Sequence, residues 1–396
     1  MTHDCSFVAD GATLADGLAL YLHIPYCTSR CSYCDFNAHV LPQGQSDPFA
    51  PYAQALVADI LDQEAALVST IFWGGGTPSL MPVEALQTIV SALREKFDFH
   101  PDLENSIEMN PGTEVSKKYE RYLELGINRL SIGAQSFHQE HLELVGRIHS
   151  GADIERAVRE GRCAGFENIS LDLIYGFPQQ TVSQWKETLS RALALEPNHL
   201  SVYQLTVEPS TRLQTQLAAG DLVLPPEDDM IEMDDWAVEC LLAEGYRRYE
   251  VSNWAKPGWE CRHNLRYWSD KPYLGLGCGG VSYVNGWRFE RIKAPVYYQR
   301  AMEVGRSPIV FAERRDRDGI LKDHLMMGLR VDGGVDADQL CARYQGLTTE
   351  HLDSFFQRLP RAWWCRDGDR FSLTRKGWDF HSDVTIELMN VMFSFS

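Results

Sequence analysis

The segment Tyr21-Leu22-His23-Ile24-Pro25-Tyr26-Cys27-Thr28-Ser29-Arg30-Cys31-Ser32-Tyr33-Cys34 determines the fold class that we predict for this chain. Its three cysteines are spaced so that their thiolates can converge from one short loop. A 4Fe-4S cluster normally takes four cysteine thiolates, so three of them leave one iron open. An open position distinguishes a catalytic metal site from a closed structural one, because a substrate or cofactor can occupy it. We therefore predict a 4Fe-4S cluster held by Cys27, Cys31 and Cys34.

Two other roles fit these cysteines less well. A disulfide framework is disfavoured, because a chain without an export signal is expected in the cytoplasm, where thiols stay reduced. Structural zinc would need a fourth ligand, for which His39 is the nearest candidate. Zinc sites usually contain two Cys-x2-Cys pairs, however, and only Cys31 and Cys34 have that spacing. The other seven cysteines are scattered, and we predict that most of them are small apolar core residues.

The charge and hydropathy of the chain disfavour several classes of function. Against 55 Asp and Glu residues there are 37 Lys and Arg residues, and the resulting net charge of −18 repels nucleic acid and anionic lipid. No run of about 18 apolar residues occurs, so we predict no membrane-integral segment. The N-terminus lacks the basic and apolar regions of an export signal. These features predict a cytoplasmic protein without a nucleic acid partner.

Short apolar runs alternate with amphipathic segments at intervals of roughly 30 to 40 residues, which is the pattern of successive βα units. Within 83–97 the apolar residues recur at helical spacing. Parallel strands need such helical crossovers, so the pattern predicts a parallel sheet. The six candidate strands are 19–23, 70–73, 106–109, 129–132, 169–173 and 199–204. We predict an α/β fold with a partial (βα)6 TIM-like barrel.

Residues suited to ligand binding occur at or just after the candidate strand ends, where βα barrels carry their functional loops. The cysteine loop follows the first strand, and Gly74-Gly75-Gly76 follows the second. Glycines let the backbone approach a ligand closely. Glu108, Gln135 and Asp172 fall at the third, fourth and fifth strands. A buried acid between apolar residues is costly unless it is paired, and we predict Arg147 as the partner of Asp172.

The sequence changes character after about residue 290. The segments 314–329 and 346–359 are predicted helices, and 370–377 is a predicted hairpin, which together suggest a winged-helix-like unit. We predict a flexible N-terminal tail over 1–17, a barrel with the cluster and cofactor sites over 18–290 and a C-terminal domain over 291–396. The C-terminal domain is expected to cover the barrel mouth, because reactive sites must exclude water.

Taken together, the motifs resemble the HemN-like branch of the radical S-adenosylmethionine (SAM) superfamily, and within it the heme chaperone subfamily more than the oxygen-independent coproporphyrinogen III dehydrogenases. The resemblance runs from Leu18 to the C-terminus. Its motifs are Tyr21-Leu22-His23-Ile24-Pro25, Gly74-Gly75-Gly76-Thr77-Pro78, Asn128-Arg129-Leu130-Ser131-Ile132-Gly133, Asp172-Leu173-Ile174-Tyr175-Gly176 and His263-Asn264-Leu265-Arg266-Tyr267-Trp268.

The resemblance implies roles for particular residues. It implies that the three cysteines bind the radical SAM cluster and that SAM is contacted by Tyr21, Gly75, Gly76, Thr77 and Glu108. A second SAM or substrate site, which HemN-type members have, would involve Tyr33, Gln135, Arg147, Asp172, Thr206 and Val281. Whether this chain holds the second SAM molecule stays open.

Two positions separate the subfamilies. HemN-type enzymes carry a fourth cysteine where this chain has Phe36, which disfavours coproporphyrinogen III dehydrogenase activity. In heme chaperones the motif containing His263, Tyr267 and Trp268 is associated with heme, and a neutral imidazole is a common axial ligand of heme iron. From residue types alone, a hydrogen-bonded histidine with aromatic core neighbours is the better interpretation. Val281 departs from the family, since many relatives have histidine there.

The resemblance therefore implies a heme chaperone that carries a 4Fe-4S cluster and SAM, with heme as its cargo and respiratory heme proteins as the recipients. The alternative is a radical SAM enzyme that acts on a tetrapyrrole, either dehydrogenase-like or by methylation or ring opening of heme. Fold alone does not choose between the two. The sequence also leaves open whether the chain is a monomer or a dimer.

Overall fold

The computed structural model describes residues 17–41, 47–112, 116–269, 271–284 and 286–391. The predicted N-terminal tail, apart from Gly17, lies outside the described residues. Within them, no helix is long and apolar enough to cross a membrane.

The described residues form strands in three sheets. The strands are β1 (Leu18–Ile24), β2 (Tyr26–Cys27), β3 (His39–Val40), β4 (Leu67–Gly75), β5 (Asp98–Met109), β6 (Arg129–Gln135), β7 (Asn168–Tyr175), β8 (His199–Gln204), β9 (Arg247–Arg248), β10 (Asn253–Ala255), β11 (Tyr273–Leu276), β12 (Val281–Val284), β13 (Trp287–Arg291), β14 (Ile309–Arg314), β15 (Val335–Asp336), β16 (Trp364–Asp367) and β17 (Arg370–Leu373).

Helices occupy most of the connections. They are α1 (Phe49–Leu61), α2 (Val83–Lys96), α3 (Tyr119–Glu124), α4 (Gln139–Leu144), α5 (Gly151–Ala164), α6 (Val182–Leu193), α7 (Arg212–Ala218), α8 (Glu227–Ala243), α9 (Arg262–Trp268), α10 (Pro295–Glu303), α11 (Arg317–Gly328), α12 (Ala337–Arg343), α13 (Thr349–Phe356), α14 (Arg375–Asp379) and α15 (His381–Asn390). Short 3₁₀ turns lie at Pro78–Leu80, Ser116–Lys118 and Arg361–Trp363.

The main sheet has the strand order β14-β13-β12-β11-β1-β4-β5-β6-β7-β8-β10-β9. Strands β1, β4, β5, β6, β7 and β8 are parallel neighbours in this order, and β11 extends the parallel set beside β1. Buried residues fill the whole of β6, as expected for a strand in the middle of a parallel sheet with both faces covered. The carboxyl ends of these strands therefore lie along one edge.

The predicted α/β fold with a partial parallel barrel is confirmed. All six predicted strands are present, and 199–204 has the predicted bounds, whereas β4 and β5 begin several residues earlier than expected. Two placements are corrected: Gln135 is the last residue of β6 rather than following it, and Asp172 lies inside β7 rather than at its end. The boundaries shift because register with the neighbouring strands, and not local composition, sets strand length.

The two largest apolar clusters among the described residues are separate from each other. The larger extends from Leu18 to Met302 and the smaller from Leu321 to Leu388, where the chain forms helices and the three-stranded sheet β15-β17-β16. The main sheet continues to the end of β14 at Arg314, and the proposed domain boundary after residue 290 lies within β13. The predicted hairpin at 370–377 is corrected: β16 and β17 form it over Trp364–Leu373, and α14 follows.

Candidate functional site

Two neighbouring cavities open at the carboxyl ends of the parallel strands. The larger is about 470 Å³ and is lined by the three predicted cluster cysteines together with Gly75, Gly76, Thr77 and Glu108. The smaller is about 420 Å³ and is lined by Tyr21, Tyr267 and Val281, and it shares Gly75, Glu108 and Phe36 with the larger. The predicted cluster and cofactor residues are thus brought together around two connected spaces.

The cysteine loop begins at the short strand β2, which pairs in parallel with β3. The hydroxyl of Thr77 donates a hydrogen bond of 3.4 Å to Sγ of Cys27. Burial raises the pKa of the Cys34 thiol, and the nearby Cys31 and Cys27 thiols add to the shift. The three thiols are therefore close neighbours, and each would be stabilised as a thiolate by binding to iron.

The donor set fits an iron–sulfur cluster better than a single ion. Among the residues that the structure describes, no three His, Cys, Asp or Glu side chains converge as a single metal ion requires. A 4Fe-4S cluster takes one thiolate per iron, so thiols distributed around a cavity suit it. The zinc candidate His39 instead places its Nε2 at 3.2 Å from Oδ1 of Asn37.

The glycine loop at the end of β4 packs closely against the segment that carries the cysteines. Gly75 has φ +116°, and a Cβ there would lie 2.7 Å from the imidazole of His23. A Cβ on Gly76 would lie 2.7 Å from the carbonyl oxygen of Tyr26. Only glycine fits both positions, which confines the loop against the cysteine segment.

Two half-buried acids, Glu108 and Asp172, line the larger cavity. Glu108 accepts a 3.1 Å hydrogen bond from the backbone N–H of Gly75. Burial, followed by repulsion from Asp172, raises the pKa of Glu108 to about 8. Burial also raises the pKa of Asp172, whose carboxylate accepts a hydrogen bond of 3.2 Å from Ser131. Two carboxyl groups that both disfavour their charged form are ready to receive a cationic ligand.

The predicted ion pair between Arg147 and Asp172 does not form. Both side chains line the larger cavity, but Arg147 donates to Oδ1 of Asn110 and, at 3.1 Å, to the hydroxyl of Tyr33. The loop after α4 places the guanidinium beside these two neutral acceptors. The sequence could not reveal this because Asn110 is 37 residues away and Tyr33 is 114 residues away.

Several residues that line the larger cavity carry a buried polar atom without a hydrogen-bond partner among the described residues. Oε1 of Gln135 and Nε of Arg147 both lack a hydrogen bond, and both residues line this cavity. Gln135 also has φ 58°, at an irregularity where β6 pairs with β7. Unsatisfied buried polar groups are costly unless a ligand or water completes them. The cavity therefore has the polarity of a site for a hydrogen-bonding cofactor.

The structure divides the residues predicted for a second SAM or substrate site. Tyr33, Gln135, Arg147, Asp172 and Thr206 all line the larger cavity. Val281 lies apart from them in the wall of the smaller cavity, together with the predicted SAM contact Tyr21. The hydroxyl of Tyr21 lies 3.2 Å from Nδ1 of His23.

His263 lies in the first turn of α9 and is fully buried. Its Nδ1 is 2.8 Å from the hydroxyl of Thr70, and its Nε2 is 2.9 Å from the hydroxyl of Tyr267. Burial lowers the pKa of His263 to about 3, so the imidazole is neutral. Both ring nitrogens are engaged in this conformation, and an iron ligand would need one of them to be released. The guanidinium of Arg330 lies 5.2 Å from the ring centre of Trp268.

Two asparagines near the site were missed by sequence reasoning. Asn110 donates to the hydroxyl of Thr77 at 3.0 Å. The side-chain amide of Asn37 donates to the backbone oxygens of Lys293 and Cys278. The backbone oxygen of Asn37 lies 2.9 Å from Nε2 of His23. These contacts join the cysteine loop to the strand ends on both sides. The position of Asn110 directly after a strand was the available signal.

Of the predicted C-terminal domain, 291–396, Lys293 alone among the described residues lines either cavity, at the wall of the smaller one. That this domain covers the barrel mouth stays a prediction. Phe36, at the position of the expected fourth cysteine, is instead 65% exposed at the mouth of both cavities.

Comparison with known proteins identifies the family to which the chain is similar. The family model "Radical SAM superfamily" matches residues 21–192. The heme chaperone HemW of Synechocystis sp. is 39% identical over 329 residues, which are 81% of this chain and 80% of that protein. HemW of Bacillus subtilis is 35% identical over 82% of this chain and 86% of its own length.

A solved structure extends the likeness to the fold. The radical SAM enzyme coproporphyrinogen III oxidase (HemN) from Escherichia coli is 25% identical, with a TM-score of 0.82 over 95% of this chain and 92% of its own. Since sequence identity of 39% extends over four-fifths of both proteins and the fold is shared over nearly the whole length, the chain belongs to the HemW family of the radical SAM superfamily.

Proposed function

We propose that this protein is a heme chaperone, which binds heme in the cytoplasm and transfers it to heme proteins of respiration. The observation that carries the proposal is the identity of 39% over four-fifths of both chains to a protein named heme chaperone HemW. Relatives with that name match at 31–42% identity. The likeness to HemN is weaker in sequence, at 25%.

The proposed cofactors are a 4Fe-4S cluster and SAM. Cys27, Cys31 and Cys34 would hold the cluster, and Tyr21, Glu108 and the glycine loop would contact SAM. When bound, such a cluster supplies an open iron for the amino and carboxylate groups of SAM and an electron that can break a carbon–sulfur bond. The chain's own contribution is to hold both in a space whose unpaired polar atoms await partners.

The proposed cargo is heme, and its contacts are less defined than those of the cofactors. The assignment of His263 as axial ligand stays a prediction. Direct ligation would require α9 to move so that His263 breaks its hydrogen bond to either Thr70 or Tyr267. Exposed apolar side chains at the cavity mouth, including Phe36 and Ile148, offer a second surface that a porphyrin face could cover.

An anaerobic heme titration followed by absorbance tests the function. Cluster-loaded protein should bind heme saturably and should lose it to an apo-cytochrome added in excess. The His263→Ala variant places the ligand, since loss of saturable binding would assign His263 and retention would move the ligand elsewhere. Absence of saturable binding in the unaltered protein would refute the chaperone proposal.

The alternative is an enzyme that acts on a tetrapyrrole, with which the fold shared with HemN is equally compatible. Release of 5′-deoxyadenosine under reducing, anaerobic conditions distinguishes the two. A chaperone should show little release whether or not porphyrin is added, whereas an enzyme should show turnover that depends on porphyrin. A dehydrogenase is the less favoured enzyme, because Phe36 stands where the resemblance expects a fourth cysteine.

A further inference from the structure

Two buried histidines in this molecule have nearly the same surroundings. His263 lies between the hydroxyls of Thr70 and Tyr267, at 2.8 and 2.9 Å. His199 lies between the hydroxyls of Ser170 and Tyr249, each at 2.8 Å. Both imidazoles are 0% exposed. A neutral imidazole offers one N–H and one lone pair, so each ring can satisfy both of its hydroxyl partners.

The two chains of hydrogen bonds differ in what they reach. Tyr267 lines the smaller cavity beside Tyr21 and Glu108, whereas Tyr249 lines neither of the two cavities described. The ring of Tyr267 stands edge-on to His263, with centroids 5.1 Å apart, and edge-on to Tyr273, with centroids 4.8 Å apart. The series of hydrogen bonds from Thr70 through His263 therefore ends at Tyr267 in a cavity wall. The series through His199 ends at Tyr249 in the core.

His263 is itself held against two strands, β5 and β4. Its backbone N–H donates to Oε1 of Glu104 on β5 at 2.9 Å, and Oε2 of the same carboxylate accepts from Arg262 at 3.0 Å. Its ring stacks on Phe72 of β4, with centroids 5.2 Å apart. Glu104 thus satisfies the first turn of α9, where two N–H groups have no partner within the helix. The histidine is a rigid support rather than a mobile side chain.

His263 also contacts the cavity wall indirectly, through Phe72. Phe72 also stacks on Tyr21, with centroids 6.3 Å apart and planes inclined by 17°. Tyr21 lines the smaller cavity opposite the shared Gly75 and Glu108. Two of the aromatic side chains in this wall, Tyr21 and Tyr267, are therefore held against a framework that includes His263.

We propose that His263 is a positioning residue for the cofactor cavity: its hydrogen bond fixes the Tyr267 ring in the wall that also contains Tyr21 and Glu108, and thereby sets the affinity for SAM. This inference rests on the proposed binding of SAM in these cavities. It gives the motif that begins at His263 a role in the cofactor site, separate from iron ligation.

The test compares SAM affinity in matched variants by anaerobic calorimetry. Tyr267→Phe removes only the hydroxyl, and His263→Phe removes only the hydrogen bonds while keeping an aromatic ring. Each should weaken SAM binding by about 5- to 10-fold, the size of one lost hydrogen bond. The double variant should be no weaker than the worse single variant, because both changes break the same contact. His263→Gln, which can bond both hydroxyls, should restore most of the affinity.

The matched control is His199→Phe, which breaks the equivalent hydrogen bonds away from the cavities. It should lower the unfolding midpoint about as much as His263→Phe while leaving SAM affinity within 2-fold, a range we set as no change. Equal loss of affinity in the two variants would reduce His263 to a stabilising residue and overturn the proposal. So would additive losses in the double variant.

A ligand-free measurement separates this inference from the cofactor proposal. With 3-fluorotyrosine at position 267, the ¹⁹F resonance should broaden or split in His263→Phe and stay single in His199→Phe. If the unaltered protein binds no SAM, the cofactor proposal fails, and an unchanged resonance in His263→Phe would then also overturn the positioning role. A heme spectrum that changes in His263→Phe but not in Tyr267→Phe, with SAM affinity unaltered, would assign His263 to iron instead.

Discussion

At the scale of single residues, Glu108 should make cofactor affinity depend on pH. Its pKa is raised to about 8, mainly by burial and then by Asp172, so its carboxyl group is largely protonated at neutral pH. The sulfonium of SAM favours the ionised carboxylate, so binding should release a proton from Glu108. Affinity should therefore increase, by up to roughly tenfold, as pH rises from about 7 to about 9. Calorimetry in two buffers of different ionisation enthalpy measures both the affinity and the proton release.

The control for this prediction is Glu108→Gln, which cannot ionise. The amino group of SAM also titrates near pH 8, but it does so equally with both proteins. The difference between the two pH profiles therefore isolates Glu108. Identical slopes in the two proteins would show that Glu108 does not face the cofactor.

The same carboxyl group should make the free energy of unfolding decrease as pH rises, whereas SAM affinity increases. Its folded pKa, about 8, is above the ordinary value of 4.5, so the folded chain holds a proton that the unfolded chain releases. Stability contributed by this group is present below about pH 4.5 and declines as pH rises through about 8. Urea unfolding at several pH values should show this decline in the unaltered protein and a smaller one in Glu108→Gln. A decline of equal size in both would contradict the shifted pKa.

Residue types and spacing predicted the membership of this site better than its contacts. The cysteines, the glycine loop, Glu108 and Gln135 line one opening, because each comes at or near the end of a parallel strand, and Asp172 lines it from within β7. The partners of these residues were not predictable. Asn110 and Tyr33 meet Arg147 across 37 and 114 positions, and Thr70 meets His263 across 193. Such pairings depend on strand order, which local patterns do not specify.

At the scale of elements, the junction between β4 and the cysteine loop should tolerate no side chain at Gly76. A Cβ there would lie 2.7 Å from the carbonyl oxygen of Tyr26, and backbone atoms cannot move aside cheaply. Gly76→Ala should therefore displace β2 and reduce iron and sulfide content by half or more, an estimate that reflects the loss of loop geometry. Iron analysis and the cluster absorbance measure this effect after anaerobic reconstitution.

Gly333→Ala is the matched control, since the nearest atom to its added Cβ is the end of the Arg370 side chain at 3.5 Å. Its cluster content should equal that of the unaltered protein. If Gly76→Ala also kept a full cluster, the loop would be free to move away from β4, and the close packing between the two segments would not matter for iron binding.

A buried ion pair joins α1, β13, α10 and the loop after β11. Asp59 of α1 and Arg291 of β13 approach to 2.9 Å with side chains 1% and 2% exposed. The same carboxylate accepts hydrogen bonds from Tyr298 of α10 at 2.9 Å and from the backbone of Gly277 at 3.1 Å. Asp59→Asn should lower the free energy of unfolding by about 3–5 kcal/mol, because it leaves a buried guanidinium without its counter-charge. Urea unfolding measures this loss.

The comparison for Asp59→Asn is Glu124→Gln, which removes the partner of Arg121 in an exposed pair. Exposed pairs contribute only about 0–1 kcal/mol, so its unfolding midpoint should barely change. Similar small losses in both variants would mean that Asp59 and Arg291 separate easily and do not hold α1 against the sheet.

Element types were more predictable than element lengths. The helix predicted over 83–97 is α2 at Val83–Lys96, because its apolar residues form one buried face. The antiparallel extension by β12, β13 and β14 was not predicted, since its strands pair with one another rather than follow the βα period. The proposed division after residue 290 rested on a change in composition. The sheet itself runs on to Arg314.

At the scale of the whole molecule, both cavities are built by residues between Tyr21 and Lys293. The smaller apolar cluster, from Leu321 to Leu388, is separate from the larger one and meets the main sheet through backbone, ionic and cation–π contacts. The backbone of Val251 donates to Arg330 at 3.0 Å, and that of Asp332 donates to Tyr249 at 3.1 Å. Because the two apolar clusters share no core residue, we expect the smaller one to unfold without the main sheet.

Arg248 is the side chain at this junction whose loss should reveal such independence. Its guanidinium lies 5.8 Å from the ring centre of Trp254 in the main sheet and 5.2 Å from that of Trp378 in the smaller cluster. Two cation–π contacts at about 0.5–1 kcal/mol each imply a loss of roughly 1–2 kcal/mol in Arg248→Ala. Hydrogen exchange measured by mass spectrometry should therefore accelerate about 5- to 30-fold in peptides from 321–388 and little in peptides from 129–175. SAM affinity should stay unchanged, because the smaller cluster contributes no lining residue to either cavity.

Arg358→Ala is the matched control, since it removes an exposed ion pair with Glu387 inside the smaller cluster and should leave exchange in both segments nearly as it was. Equal acceleration of both segments in Arg248→Ala would show instead that the two apolar clusters open as one cooperative unit.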